Sequence, residues 1–256
     1  MSKASNLIIA AASTIIAGCT PTTFPPTTDS ASDVSAVIVG VENGWAGDCP
    51  GAIKDTATFN RIIAPYAGKI QVLQNQQATK YAVTEALREA TESSALTIFF
   101  YSGHGGSQRF GDTGSEETDG RDEFLCLYDT YMRDNDIWNI ISKSQGRILM
   151  VMDCCHSQTM FRSPAVTMRR AALRLASPRI ATGFGLICWS GCPDDAYSYG
   201  SASGGEFTNA LARHFDDSLT YDALWKAVKS DSRLLSQENP QQTKIGIDFG
   251  GEKAFR

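Results

Sequence analysis

From residue 34 onward, hydrophobic positions follow two alternating patterns. Short apolar runs rich in β-branched and aromatic residues recur at 35–41 (SAVIVGV), 69–73 (KIQVL), 95–101 (ALTIFFY), 124–128 (FLCLY), 147–152 (RILMVM) and 184–190 (FGLICWS). Each predicts a strand. Stretches with helical spacing lie between and after them and predict helices over 53–64, 79–92, 134–143, 205–215 and 220–236. In the second of these, Ala82, Ala86 and Leu87 form an inner face and Glu85 and Glu89 an outer one, which makes a half-buried helix. Strands that are apolar almost throughout imply a sheet covered on both faces, hence an α/β fold with a mostly parallel sheet. No internal repeat is visible. Ligands of such sheets bind beyond the carboxyl ends of the strands, so the residues just after each run are where chemistry is expected.

Composition narrows the picture. The chain has 256 residues, 42% hydrophobic and 20% charged, which suits one large domain or two small ones with a buried core. Wholesale disorder is excluded. With 23 basic against 28 acidic residues the formal charge is −5, and no nucleic-acid partner is expected. Residues 7–17 (LIIAAASTIIA) form an apolar run after Lys3. As a helix it would rise only about 16 Å, against a hydrocarbon core of roughly 30 Å. It therefore reads as a secretory segment rather than a membrane span. The run ends in Ile16-Ala17-Gly18-Cys19, which resembles a bacterial lipobox and marks Cys19 for lipidation. The expectation is a lipoprotein-type signal peptide over 1–18, a Thr/Pro/Ser-rich tether over 19–33 and one domain over 34–256, exported and held at the cell envelope by a lipid anchor. The alternative is an apolar tail on a cytoplasmic protein.

Two strand ends carry reactive side chains. The run 95–101 ends in Tyr101-Ser102-Gly103-His104-Gly105-Gly106, where glycines on both sides of His104 permit a sharp turn and leave its ring open. The run 147–152 ends in Asp153-Cys154-Cys155-His156-Ser157. A histidine and a cysteine delivered to one sheet edge suit a thiolate nucleophile, whose pKa the imidazole lowers and whose leaving group it later protonates.

YSGHG and DCCHS resemble the two signature motifs of metacaspases and related caspase-like cysteine peptidases. The 51-residue gap from His104 to Cys155 agrees with the spacing in caspases. Further segments are similar in the same order: Gly47 to Asp55, Asp119-Gly120-Arg121-Asp122-Glu123, Trp189 to Asp195, Gly204 to Leu211, and Asn239-Pro240-Gln241-Gln242. The resemblance implies a three-layer caspase-like sandwich with a six-stranded sheet. It also implies Cys155 as nucleophile, His104 as general acid/base, and the N–H groups of Gly105 and Cys155 as oxyanion donors. Asp55 and Asp153 match carboxylates lining the family's S1 pocket, with Asp194 adding charge. The implied substrates are proteins or peptides with Arg or Lys at P1. Asp55 can also be read as a helix N-terminal acid favoured by the macrodipole. The chemistry requires no cofactor, and a monomer is expected.

Several family members are activated by calcium, and here residues 112–136 hold nine acids, of which Asp119 and Asp134 match the family's ligands best. A solvated acidic loop is the other reading, and Arg162 stands where a further aspartate is expected. Gln158 replaces a family glycine. The basic stretch 162–179 holds five arginines and no acid, so it offers sites for self-cleavage at Arg169, Arg170 or Arg174. An exposed basic surface is the alternative. Gln158 and Arg162 also leave open a catalytically weak member that acts as a binding or scaffolding module.

Overall fold

Seven consecutive buried residues, Val34–Gly40, form strand β1. The computed structural model describes residues 33–108, 122–154, 183–191, 200–234 and 239–255. After β1 come the hairpin strands β2 (Asn43–Gly44) and β3 (Gly47–Asp48), helix α1 (Ala52–Ile63), β4 (Lys69–Gln74), helix α2 (Lys80–Ser93) and β5 (Leu96–Ser102). They are followed by β6 (Gly105–Gln108), β7 (Asp122–Cys126), β8 (Tyr131–Arg133), α3 (Asp134–Ile141) and β9 (Arg147–Asp153). The remaining described elements are β10 (Gly185–Ser190), β11 (Gly200–Ser201), β12 (Gly204–Gly205), α4 (Glu206–His214), α5 (Tyr221–Lys229) and β13 (Gln241–Gly246).

Six strands build the central sheet in the order β13-β10-β9-β5-β1-β4. All neighbours run parallel except β10 and β13. Because side chains alternate along a strand, the sheet feeds two separate cores. On one face Val37, Val39, Phe99, Tyr101, Met150, Met152 and Cys154 meet Val83 and Leu87 of α2 and Ile137 and Ile141 of α3. On the other, Ile38, Ile98, Phe100, Leu149 and Val151 meet Phe59 of α1, Leu211 of α4 and Leu224 of α5. The outcome is the mostly parallel α/β sheet that the apolar runs implied, in the three-layer, six-stranded sandwich that the resemblance implied. Among the described residues no helix is long and apolar enough to cross a membrane.

Several elements differ from the sequence-based expectation. The run 124–128 does not enter the central sheet; it overlaps β7, which pairs antiparallel with β6 and β8 in a small separate sheet. The sixth central strand is β13, whose QQTKIG sequence is too polar to announce itself because it forms an antiparallel edge. The helix expected over 220–236 stops at Lys229. Beyond it Asp231 is drawn out of helical register by Arg213 Nε at 2.8 Å and His214 Nε2 at 3.0 Å. On α2 the buried face is Val83, Ala86, Leu87 and Ala90, so the stripe is shifted by one residue at its start.

Along the sheet the chain first moves from β1 outward to β4, then returns to the other side of β1 with β5. This reversal is a topological switch point, and it opens a crevice beyond the carboxyl ends of β1 and β5. Helix α1 packs tightly over that end, since a Cβ at Gly40 would lie 2.4 Å from Thr56 Cγ2 and 3.0 Å from the Ala52 carbonyl oxygen. The close approach carries Asp55 of α1 to the same crevice.

Candidate active site

β5 and β9 pair in parallel from Leu96 opposite Arg147 to Ser102 opposite Asp153. Gly103 extends the ladder by donating its N–H to the Asp153 carbonyl at 3.4 Å. On the far side Gly191 donates to the Met152 carbonyl at 2.9 Å. Neighbouring strands lie about 4.8 Å apart, so Ser102 and Asp153 end their strands side by side. His104 is the second residue after Ser102, and Cys155 is the second after Asp153. Cys155 itself lies outside the described residues. Its neighbour Cys154 points away into the core between the sheet and the helices α2 and α3, with no exposure.

His104 is fixed at three points. Its carbonyl accepts the Cys126 N–H at 2.9 Å, and the Tyr101 hydroxyl lies 2.7 Å from that same oxygen and 2.7 Å from the Cys126 carbonyl oxygen. The ring places Nε2 2.9 Å from the Asp48 carbonyl oxygen. A carbonyl only accepts, so Nε2 carries a hydrogen, and in the neutral ring the lone pair is on Nδ1. The Asp48 carbonyl is itself held by a braced hairpin. Asn75, in the left-handed region at φ 44°, accepts the N–H groups of Glu42 and Asn43, and the Glu42 carboxylate accepts the Gly51 N–H. The glycine before His104 has a packing reason as well as a turning one. A Cβ at Gly103 would lie 2.7 Å from the Tyr101 hydroxyl and would push that anchor out of place.

Asp55 and Asp153 come together from different elements. They are 2% and 4% exposed. Asp55 accepts the Ser102 hydroxyl at 2.7 Å and the Gly205 N–H at 2.9 Å. Asp153 Oδ2 accepts the Thr208 N–H at 2.9 Å and its hydroxyl at 2.6 Å. The glycine pair Gly204-Gly205 touches both acids, because a Cβ would lie 2.4 Å from an Asp55 oxygen at Gly204 and 2.3 Å from an Asp153 oxygen at Gly205. Burial, then the adjacent charge of Asp153, pushes the Asp55 carboxyl up to about 7, while the bonds from Ser102 and Gly205 pull against that rise. Sequence reasoning named the two acids and missed Ser102, Tyr101, Gly205, Thr208 and the Asp48 carbonyl. Four of these sit inside YSGHG and the Gly204 to Leu211 segment, and Asp48 inside the Gly47 to Asp55 segment, all already singled out, but nothing in the residue types says which atoms they hold.

The other expected site residues fall as follows. Gly105 follows His104 directly, is half-buried and opens β6 opposite Leu125. Asp134 is the first residue of α3, is 2% exposed and accepts the N–H of Asn135 at 2.7 Å. Asp119, Asp194, Gln158, Arg162, the basic stretch 162–179 and Cys19 lie outside the described residues. Among the described residues no group of three or more His, Cys, Asp or Glu is placed to hold a metal ion. They supply Asp134 alone toward calcium, and no step below runs through that ion. Burial pushes the Cys188 thiol up to about 12, which leaves it inert.

A parallel-sheet sandwich with a histidine after one strand, a cysteine after its neighbour and two buried acids beside them defines a caspase-type domain. Residues 34–245 match the family described as caspase domain, and the chain belongs to that family of cysteine peptidases. It is 29% identical to metacaspase III c of Phaeodactylum tricornutum over 143 residues, covering 50% of this chain and 42% of that protein. It is 26% identical to a metacaspase-1 of Ajellomyces capsulatus, covering 66% and 52%, and 23% identical to one of Pyricularia oryzae, covering 83% and 58%. The chain thus spans about half the length of these curated relatives. Among solved structures, a Geobacter sulfurreducens protein superimposes with a TM-score of 0.69 at 23% identity, covering 87% of this chain and 98% of the other. Caspase-1 of Spodoptera frugiperda does so with a TM-score of 0.58 at 12% identity, covering 85% and 88%.

The buried acid pair generates a pH prediction. Folded Asp55 keeps its proton to about pH 7, whereas the unfolded side chain releases it near 3.8. The native state therefore binds the extra proton between these values, and the associated stability is full below pH 3.8 and is lost as pH rises through 7. Asp55→Asn keeps an acceptor oxygen for Gly205 and Ser102 but cannot ionise. Thermal unfolding from pH 5 to pH 8 is expected to show the variant gaining several degrees in Tm on the wild type. Parallel curves would remove the pair from the account.

Proposed function

We propose that this chain is a cysteine endopeptidase that cleaves after Arg or Lys, with Cys155 as nucleophile and His104 as general acid/base. The observation that supports the reading is the register of β5 and β9, which sets Ser102 opposite Asp153, two residues before His104 and Cys155 in sequence. In the proposed reaction, His104 Nδ1 takes the Cys155 thiol proton, and the thiolate attacks the carbonyl carbon of P1. The N–H groups of Gly105 and Cys155 stabilise the oxyanion. Collapse breaks the C–N bond as His104 gives its proton to the departing amine, leaving a thioester. Water, deprotonated by His104, then hydrolyses the thioester and restores the thiol.

The acids Asp55, Asp153 and Asp194 give the P1 preference in this reading. Two buried carboxyls that repel each other are unfavourable alone and gain from a cation placed against them. A guanidinium suits them best, because it can engage two oxygens at once. A P1 aspartate would meet charge of its own sign. Calcium responsiveness through Asp119 and Asp134, self-cleavage within 162–179 and a lipid anchor at Cys19 that holds an exported enzyme at the cell envelope complete the proposal.

Peptide reporters ending in Arg, Lys or Asp, assayed with and without calcium, are the direct test. Arg and Lys reporters are expected to be cut and the Asp reporter spared, with Cys155→Ala reducing turnover by about 1,000-fold or more. Silence of reduced, calcium-supplied protein on every reporter would shift the reading to a binding module. Intact-mass analysis of the full chain recovered from membranes covers the other two features. It is expected to show acylation absent from Cys19→Ser, and a C-terminal fragment beginning near residues 170–180 absent from Cys155→Ala. Unmodified, uncut chains in every preparation would rule out both.

A further inference from the structure

Helix α4 opens on Gly205, which has no side chain to cap it. The N–H of Thr208 would otherwise lack a partner in the first turn. It is taken instead by Asp153 Oδ2, from a strand 55 residues away in sequence, at 2.9 Å. The positive end of the helix dipole thus meets a carboxylate. The Thr208 hydroxyl then adds a second bond to the same oxygen at 2.6 Å. Within a helix such a hydroxyl normally turns back to a carbonyl of the preceding turn or faces water. Here it does neither, and Thr208 has no exposure at all. Three residues earlier the Gly205 N–H holds Asp55, so the five-residue segment 204–208 grips both acids.

We propose that Thr208 is a positioning residue for recognition of the cationic P1 side chain, acting through Asp153 by fixing the plane of its carboxylate beside Asp55; this rests on the Arg/Lys reading above. Two donors on one oxygen allow the carboxylate little rotation. Without the hydroxyl, Asp153 can turn toward Asp55 and share its proton, and the pair then presents less charge to a guanidinium. Thr208 takes no part in bond breaking, so its effect belongs to binding and not to the chemical step.

Three substitutions separate positioning from packing. Thr208→Val keeps the shape and loses the hydroxyl, Thr208→Ser keeps the hydroxyl and loses the methyl, and Thr208→Ala loses both. Affinity for agmatine, which carries the arginine side chain without its carboxylate, is measured by calorimetry on the full chain. Thr208→Val and Thr208→Ala are expected to bind about ten-fold more weakly than the wild type, with Thr208→Ser close to it. On an Arg reporter the loss is expected in KM and not in kcat. Should Thr208→Val fail to fold, Ala against Ser gives the same comparison. Equal affinity in the wild type and the hydroxyl-free variants, a larger loss in Ser than in Val or Ala, or no agmatine binding by the wild type would each overturn the proposal. Hydroxyl-dependent agmatine binding without any Arg or Lys turnover would sustain it and reject the peptidase reading instead.

Discussion

The parallel pairing of β5 with β9 is the constraint on which the rest of the molecule depends. Its last matched pair, Ser102 and Asp153, places two polar side chains at the carboxyl ends of two largely apolar strands. One strand then continues into His104 and the other into Cys154 and Cys155. A slip of one residue would exchange the faces of every side chain on β9. Met150, Met152 and Cys154 would leave one core, Leu149 and Val151 the other, and Asp153 would face the wrong layer. Burial of both faces therefore fixes the register strongly, and with it the position of the chemistry. The aromatic stack of Phe59 on Phe100, with ring centroids 4.4 Å apart, anchors α1 to β5 directly below the site.

Rigidity in the core contrasts with cost at the rim. Asp55 and Asp153 are buried acids close enough to repel, an arrangement that desolvation and mutual repulsion both oppose. What offsets it is local: a serine from β5, an N–H from the β12 turn, and the N–H and hydroxyl of a threonine in the first turn of α4. Each donor comes from an element already placed by the two cores, so the sandwich supports the acids and the acids in turn cap α4. A site that is unfavourable when empty has the most to gain from a ligand of opposite charge. That is the physical link between the fold and the proposed preference for Arg or Lys.

Much of the architecture was legible because its signals are strong. VIVG, TIFFY and ILMVM are apolar on both faces, which only a doubly covered sheet requires, and the strand ends marked by YSGHG and DCC stood out against a chain with three histidines. Other parts were illegible for equally physical reasons. QQTKIG becomes the sixth strand through pairing with β10 and not through its own hydrophobicity. FLCLY has the composition of a central strand, yet it is claimed by β6, whose GGSQ sequence carries no strand signal. At the site, the family resemblance pointed to the acids and the end of a strand run to the histidine. The donors remained hidden because a backbone N–H such as that of Gly205, or a carbonyl such as that of Asp48, has no signature in sequence. Gly103 is instructive here: its role rests on the hydroxyl of Tyr101, two residues before it, which only the folded geometry brings into contact.

The central claim is that register makes His104 and Cys155 a working pair. The rate at which iodoacetamide alkylates Cys155, followed by mass spectrometry from pH 5 to pH 10 in the wild type and in His104→Asn, tests it most directly. An unassisted cysteine ionises near 8.5. The account predicts fast alkylation of the wild type well below that value, with His104→Asn moving the profile up toward it. A Cys155 that titrates as an ordinary thiol in both proteins would contradict the account.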